Sequence, residues 1–213
     1  MKKVSIVLPT YNESDNIEAL VSEIDKIFKT VLKRYSYEII ITDNCSTDGT
    51  IDIIRKICNI NRNVKAIINA GNYRNGSASN ALKNTSGDCT ILMAADFQDP
   101  PEYIPKFVQE WEKGYDLVLG VKPHSNTNKF MHKIRTLYYK LMDKITSIKQ
   151  IPHFTGFGLY DKNFLDIYNE VNDPLPYIRG FVAKYGNKVK CIEFVQPKRN
   201  GGKSSQTFWS LYE

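Results

Sequence analysis

Residues 93–102 read MAADFQDPPE and decide the fold of this chain. They predict a buried strand over Thr90–Ala94 that runs into an acidic loop and stops at two prolines. Open α/β sheets bind ligands beyond the carboxyl ends of their strands, so Asp96 and Asp99 are candidates for holding a phosphate-bound metal. The alternative is an acidic loop in which Asp99 is the N-cap of a helix that begins near Pro101.

The segments on either side alternate between strand and helix patterns. Short apolar runs predict strands at Val4–Leu8, Glu38–Ile41, Val64–Ile68, Thr90–Ala94 and Asp116–Val121. Helical spacing and start signals predict helices after Ser14 or Asp15, after Asp48, over Asn75–Asn84 and over Pro101–Lys113. This order predicts an α/β fold whose mostly parallel sheet carries helices on both faces.

The pattern is weaker after Lys122. We expect there a basic amphipathic helix over Asn128–Ile148, a glycine-rich turn at 153–158, a helix around Leu175–Tyr185 and a strand at Lys190–Val195.

Composition narrows the class of protein. The chain has 213 residues and a formal net charge of +6, and no window reaches the roughly 18 consecutive apolar residues of a membrane-spanning helix. The four cysteines lack metal-ligand spacing, which predicts buried free thiols in a reducing compartment. The positive charge alone does not indicate nucleic-acid binding, because no helix-turn-helix, zinc or RNP motif accompanies it. We therefore expect no nucleic-acid partner.

Three polar loops follow the first, second and fourth predicted strands, and a parallel sheet brings them to one edge. Tyr11 is placed to stack on a planar base, and Asp43 to accept a hydrogen bond from a base N–H. Asp96 and Gln98 supply the oxygen ligands that hard cations prefer. Each also has a structural interpretation: Glu13 and Asp48 as helix caps, and Tyr11 as packing. The glycine-rich loops of P-loop NTPases and dinucleotide dehydrogenases are not found in the sequence.

Residues 4–13 (VSIVLPTYNE), 43–50 (DNCSTDGT) and 95–102 (ADFQDPPE) together resemble family 2 glycosyltransferases of the GT-A fold. Within them the chain is most similar to polyprenyl-phosphate sugar transferases of the dolichyl-phosphate mannose synthase and bactoprenol glucosyltransferase type. The resemblance extends over nearly the whole chain. It implies a Rossmann-like, mostly parallel central sheet, with a nucleotide-sugar-binding half at 1–122. An acceptor-side half of the same domain would occupy 123–213. In relatives, membrane helices follow after the end of this half.

The resemblance also implies roles for individual residues. Donor-side positions would line the nucleotide pocket (Pro9, Tyr11, Glu13), contact the base (Asp43) and hold Mg²⁺ or Mn²⁺ on the donor diphosphate (Asp96, Gln98). Basic and late positions would face phosphate (Lys122) or lie near the acceptor phosphate in an Arg-x-x-Gly-x-Ser-Lys-like segment (Arg199, Gly202, Lys203, Ser204). Asp96, Asp99 and Arg199 are the catalytic candidates, with Asp99 as the base where the acceptor requires one.

Three positions depart from the family pattern. Ala94 replaces the first aspartate of the usual Asp-x-Asp metal loop, which predicts a weaker metal site. Gly156 stands where bactoprenol-type relatives often carry an aspartate, so a role for that aspartate does not transfer. The late motif usually ends in lysine, and this chain has Ser205 there.

We therefore expect an inverting, metal-assisted transferase that moves a sugar from a nucleotide-diphosphate sugar, UDP-sugar favoured, to polyprenyl phosphate. A lipid phosphate is already anionic and needs no base, whereas a sugar hydroxyl does. One alternative acceptor is a saccharide hydroxyl in cell-surface polysaccharide synthesis. Another alternative, motivated by Ala94, is a non-catalytic nucleotide-sugar-binding protein. The expected location is cytoplasmic, at the cytoplasmic face of the membrane. The sequence is compatible with an oligomer.

Overall fold

The computed structural model describes residues 1–73, 75–122, 151–171 and 177–197. The strands are β1 (Lys3–Thr10), β2 (Ser36–Asp43), β3 (Val64–Ile68), β4 (Cys89–Leu92), β5 (Leu117–Val121), β6 (Phe154–Asp161) and β7 (Val189–Glu193). The helices are α1 (Ile17–Thr30), α2 (Thr50–Ile60), α3 (Asn75–Lys83), α4 (Ile104–Glu112), α5 (Lys162–Glu170) and α6 (Ile178–Tyr185), with a 3-10 turn at Pro101–Tyr103.

The strands form one seven-stranded sheet in the order β3-β2-β1-β4-β6-β5-β7. β6 is antiparallel to β4 and β5, and the other strand pairs are parallel. The mostly parallel sheet is therefore confirmed. Because β6 runs the other way, it begins at the edge where its neighbours end. We call this edge the carboxyl edge.

Helices cover both faces of the sheet, as predicted. One face packs against α1, α2 and α4, through residues such as Ile24, Ile54 and Phe107. The other face packs against α3, α5 and α6, through residues such as Leu82 and Phe164. Burial on both sides explains why the strands read as nearly continuous apolar runs.

The register of the central strands fixes where the loops leave the sheet. Thr10 of β1 pairs with Asp43 of β2, and Val7 of β1 pairs with Leu92 of β4. Neighbouring strands lie about 4.8 Å apart, so β2 and β4, on either side of β1, are about 10 Å apart. The three polar loops therefore leave the sheet side by side.

The glycine-rich turn predicted at 153–158 is wrong, because most of that segment is β6. Gly158 is needed for close packing: a Cβ there would lie 2.7 Å from the Val118 carbonyl oxygen of β5. The predicted burial of the thiols is also wrong in part, since Cys45 and Cys191 are exposed; all four cysteines are free.

Helix starts differ from the predicted caps. α1 begins after Asn16 rather than after Ser14 or Asp15, and the Asn16 side chain accepts no capping hydrogen bond from the helix. The sequence patterns did not predict α5, which is short and carries several polar residues. The basic helix expected over Asn128–Ile148 lies outside the described residues. In the parts of the chain that are described, no helix has the length and apolarity needed to cross a bilayer.

Candidate functional site

Four loops meet at the carboxyl edge, and each holds a non-glycine residue with a left-handed backbone. These residues are Asn12 (φ 55°), Cys45 (φ 65°), Phe97 (φ 61°) and His153 (φ 62°). Such conformations are costly and persist where the surroundings impose them, often at binding sites. This concentration of strain marks the carboxyl edge as the candidate site.

The loops after β1 and β2 are tied together. The backbone N–H of Asn12 donates to Ser46 Oγ (2.8 Å), and the N–H of Thr47 donates to Asn12 Oδ1 (2.8 Å). The left-handed turn at Asn12 is therefore fixed by the neighbouring loop. Pro9 and Tyr11, the predicted pocket residues on either side of Thr10, are half-buried here.

The acidic residues of these two loops have structural roles. Glu13 is buried, and its carboxylate accepts a hydrogen bond from Asn16 Nδ2 (2.7 Å). Asp48 accepts hydrogen bonds from the backbone N–H groups of Ser14 (3.1 Å) and Thr50 (3.1 Å), which links the two helix starts. Burial would raise the pKa of Asp48, but these bonds outweigh it and lower the pKa. Asp48 thus supports both helix starts from the loop, although the N-cap position of α2 is occupied by Gly49.

Asp43 is fully buried at the end of β2. One carboxylate oxygen accepts the Ser46 N–H (2.9 Å) and the other accepts the Ser46 hydroxyl (2.5 Å). In this arrangement the carboxylate shapes the loop and has no surface to offer a base. The predicted base contact by Asp43 therefore stays a prediction, and its geometry does not favour it.

Asn44 and Asn69 form an amide pair that sequence reasoning missed. Asn44 is 6% exposed, and its Oδ1 accepts hydrogen bonds from the Tyr73 N–H (3.3 Å) and from Asn69 Nδ2 (3.4 Å). Asn69 Nδ2 also donates to Ser77 Oγ (2.8 Å) on α3. Because the oxygen of Asn44 is used by these donors, its Nδ2 is left as a donor toward a ligand; within the described residues it makes no hydrogen bond. The available sequence signal was an asparagine directly after each of two adjacent strands.

The loop after β4 holds the acidic pair. Asp96 is half-buried, and its Oδ1 accepts the Gln98 N–H (3.1 Å). Asp99 is 7% exposed, and its Oδ2 accepts the Ala94 N–H (2.9 Å). Burial raises the pKa of Asp99 to about 6, against the opposing effects of the Ala94 hydrogen bond and the Lys122 charge, while Asp96 adds to the rise.

The predicted N-cap role of Asp99 is wrong. Pro100 precedes the turn at Pro101, and no side chain caps it. Pro101 has no N–H for a cap to accept, and the Asp99 carboxylate instead folds back to the start of its own loop.

The donor set of this loop fits a hard cation with few protein ligands. Asp96 supplies carboxylate oxygens and Gln98 a carboxamide oxygen, and Mg²⁺ is often held by one or two carboxylates plus substrate phosphates. In the described ranges no cluster of three or more His, Cys, Asp and Glu side chains is found. A metal would therefore depend on diphosphate oxygens to complete its coordination.

Two further residues, Lys122 and His153, lie at the carboxyl edge. Lys122 follows β5, and its backbone N–H donates to the carbonyl of His153 at the start of β6 (3.3 Å). The Lys122 charge acts on Asp99, which places the ammonium near the acidic loop. His153 is a second residue that sequence reasoning missed, because it reaches the edge only through the antiparallel direction of β6. Arg199, Gly202, Lys203 and Ser204 lie outside the described residues, and their roles stay predictions.

The carboxyl edge thus gathers Tyr11, Asn44, Asp96 and Lys122 around the ends of the central strands. Aromatic, amide, carboxylate and ammonium groups in this order suit a planar base, a sugar and a diphosphate.

The family profile described as "Glycosyl transferase family 2" matches residues 5–169. The chain is 31% identical over 205 residues to the uncharacterized glycosyltransferase YkcC of Bacillus subtilis, covering 94% of this chain and 62% of that protein. It is 27% identical over 212 residues to the bactoprenol glucosyl transferase of Shigella phage SfX, covering 99% of this chain and 69% of that protein. The chain therefore spans about two thirds of the length of these relatives.

Solved structures share the fold. Glucosyl-3-phosphoglycerate synthase from Mycobacterium tuberculosis, in complex with Mn²⁺, UDP and phosphoglyceric acid, superposes with a TM-score of 0.62 at 17% identity, over 94% of this chain and 72% of that chain. S. aureus TarS in complex with UDP-GlcNAc gives 0.56 at 19% identity, over 92% and 60%. With the profile matching most of its length, this chain belongs to glycosyl transferase family 2: it is a family 2 glycosyltransferase of the GT-A fold.

Proposed function

We propose that this chain transfers a sugar from a nucleotide-diphosphate sugar, with UDP-sugar favoured, to polyprenyl phosphate, with inversion at the sugar. The observation that carries the proposal is the placement of Asp96 and Lys122 at one edge, beside the loops of β1 and β2. Similarity to a bactoprenol glucosyl transferase over nearly the whole chain supports the lipid-phosphate acceptor. We propose with it that 1–122 binds the donor and 123–213 serves the acceptor.

The base would lie over the β2 end, beside Tyr11. We propose that Asn44 rather than Asp43 contacts it, because Asn44 has a donor to spare and Asp43 is buried. Asn69 holds the Asn44 amide in place by donating to its oxygen.

Asp96 and Gln98 would hold Mg²⁺ or Mn²⁺ on the donor diphosphate. The cation would supply charge neutralisation for the leaving diphosphate. Lys122 would add a positive charge on the same side of the sugar. An acceptor phosphate oxygen attacks C1 from the opposite face, the bond from C1 to the diphosphate oxygen breaks, and its electron pair leaves with the nucleoside diphosphate.

The location follows from the acceptor. Polyprenyl phosphate is a membrane lipid, so we propose that the protein works at the cytoplasmic face of the membrane. The C-terminal segment near 208–212 is the part that we propose to dock on the membrane, and basic residues close to an anionic surface would contribute about 1 kcal/mol each.

A labelled UDP-sugar screen with undecaprenyl phosphate tests the proposal. We expect label to enter the organic phase, and to require a divalent cation. Label that stays in the aqueous phase on an oligosaccharide would overturn the lipid acceptor. UDP binding without turnover, unaffected by Asp96→Ala, would indicate a non-catalytic nucleotide-sugar-binding protein.

Asp99 favours one second candidate, transfer to a saccharide hydroxyl. A buried carboxylate with a pKa of about 6 is suited to act as a general base near neutral pH. For a hydroxyl acceptor, kcat/KM should rise as the pH increases through about 6, and Asp99→Asn should abolish the rise. For a phosphate acceptor, Asp99→Asn should keep most of the activity.

A further inference from the structure

Arg179 lies in the first turn of α6, at the end of that helix nearer the carboxyl edge. α6 ends beside the start of β5, since a Cβ at Gly186 would lie 2.9 Å from Leu117 Cδ1. The chain then enters β7, where Val189 pairs with Leu117. The helix therefore runs opposite to β5, and its eight residues extend about 12 Å back toward the carboxyl edge.

The charge of Arg179 reaches the interior below the candidate site. Burial raises the pKa of the Tyr160 phenol well above its usual value, the Asp99 carboxylate raises it further, and the Arg179 guanidinium opposes the rise. The Tyr160 hydroxyl donates to the Gly156 carbonyl (2.6 Å). The charges of Arg179 and Asp99 thus both act on one buried group, and that group is bonded to Gly156.

β6 bulges at this point. Leu119 pairs with Gly158 and Val121 with Phe154, so two steps along β5 correspond to four along β6. Gly156 lies in the extra stretch with φ 110°, and among the described residues nothing would lie within 4 Å of a Cβ added there. Gly156 is itself buried, and the described part of the chain leaves room beside it on the side where a Cβ would point.

Arg179 is exposed and has a spare set of donors. Its guanidinium carbon is 5.0 Å from the centroid of the Tyr177 ring, which orients the group through a cation–π contact. Within the described residues no carboxylate forms an ion pair with it. A planar guanidinium can donate two parallel hydrogen bonds to a phosphate, which an ammonium cannot do.

We infer, on the basis of the function proposed above, that Arg179 binds the phosphate group of the acceptor over the β6 bulge. Lys122, whose charge acts on Asp99 in the acidic loop, is the cation proposed for the donor diphosphate, so the two cations would hold two different phosphate groups. Arg179 is then the acceptor-binding residue on α6, and it sets the preference for a phosphorylated lipid over a neutral acceptor.

The test compares Arg179→Gln and Arg179→Lys with Lys184→Gln as a matched control. Lys184 lies on the same helix and also stacks on a tyrosine, 4.9 Å from the Tyr185 centroid, but near the far end of α6. We measure KM for undecaprenyl phosphate, KM for the donor, and Kd for UDP by calorimetry. Far-UV circular dichroism and Tm verify that each variant is folded.

We expect Arg179→Gln to raise the acceptor KM by about ten- to a hundredfold, the loss typical of a charge-assisted hydrogen bond, with UDP Kd within twofold. The acceptor KM of Arg179→Lys should lie between those of the wild type and Arg179→Gln. The acceptor KM of Lys184→Gln should match that of the wild type. An unchanged acceptor KM in Arg179→Gln, a loss expressed mainly in UDP affinity, or an equal loss in Lys184→Gln would overturn the inference.

A binding measurement separates this inference from the proposed function. Farnesyl monophosphate is titrated into the UDP-saturated wild type and into Arg179→Gln. Binding that the variant weakens supports Arg179 even where no sugar reaches undecaprenyl phosphate, in which case only the proposed function fails. No binding to the wild type, or equal binding to both proteins, overturns the role of Arg179.

Discussion

Replacing Glu38 with glutamine tests how β1 and β2 are held at the end opposite the site. Glu38 is 2% exposed and pairs in register with Ser5. Its carboxylate accepts hydrogen bonds from Lys65 Nζ (2.7 Å), Lys3 Nζ (3.0 Å), Ser5 Oγ (2.7 Å) and the Ser86 N–H (2.7 Å). One buried carboxylate thus joins β1, β2, β3 and the turn before β4.

The structure gives the size of the effect. Glutamine keeps the shape and one acceptor oxygen, but it loses the charge and turns an NH₂ group toward donors. A hydrogen bond to a charged group contributes about 1.5–3 kcal/mol, and the lysine side chains are 31% and 58% exposed, so solvent screens both. We expect a loss of about 3 kcal/mol in the free energy of unfolding, or about 6–12 °C in Tm for a chain of this size.

The loss should depend on pH. Burial would raise the pKa of Glu38, but the hydrogen bonds from Lys65, Ser5, Ser86 and Lys3 outweigh it and hold the pKa well below its usual value of 4.5. A carboxyl group whose folded pKa is lowered stabilises the fold above its unfolded pKa, and this stabilisation is lost as the pH falls. The difference between wild type and Glu38→Gln should therefore be full at pH 7 and shrink below about pH 4.5.

Urea unfolding followed by circular dichroism at pH 7 and pH 4 measures both effects. Asp166→Asn is the control, because its 2.9 Å ion pair with Lys162 joins side chains that are 52% and 57% exposed, and it should change stability by less than about 0.5 kcal/mol. Well below Tm, Glu38→Gln should bind UDP as the wild type does. A variant as stable as Asp166→Asn at pH 7, or a loss that is no smaller at pH 4 than at pH 7, would refute the reasoning.

Three further predictions concern the candidate site. Ala94→Asp adds the carboxylate that the loop lacks, so calorimetry with UDP present should show Mn²⁺ binding tightened by about tenfold. Asp96→Asn should remove the effect of Mn²⁺ on UDP affinity and lower kcat by at least about a hundredfold; a wild-type response to Mn²⁺ would contradict the metal assignment. Asn44→Ala should weaken UDP binding by about five- to thirtyfold, while the Kd for inorganic diphosphate stays the same. Equal weakening of UDP and diphosphate binding would argue against a base contact.

The first half of the fold could be predicted from sequence because its signals are local. Apolar runs marked β1 to β5, and helical spacing marked α1 and α4, with errors of a few residues at their ends. β6 could not be predicted this way, because it contains Gly156 and Gly158 and glycine is common in turns. The requirement for glycine at 158 comes from the Val118 carbonyl, a contact distant in sequence.

The candidate site was predictable in position but not in detail. The strand order was enough to bring Tyr11, Asp43 and Asp96 to one edge. Which side chain is open to a ligand depends on hydrogen bonds that form only in the folded chain. The Ser46 hydroxyl donates a hydrogen bond to the Asp43 carboxylate. The Asn69 amide donates to the Asn44 side-chain oxygen and holds that amide in place. Asp43 and Asn44 are adjacent in one motif, but their side chains therefore make different hydrogen bonds.

The antiparallel direction of β6 explains how one edge collects both strand ends and a strand start. Parallel strands bring only their carboxyl ends to this edge, which supplies the loops of β1, β2 and β4. β6 adds a strand start, with His153 beside Lys122, and its bulge opens next to α6. Asp99 connects the two parts, because its carboxylate bonds the β4 loop while Lys122 acts on its charge. On the function proposed here, a change beside β6, such as glycine at 156, would therefore alter the acceptor without disturbing the loops that are proposed to hold the donor.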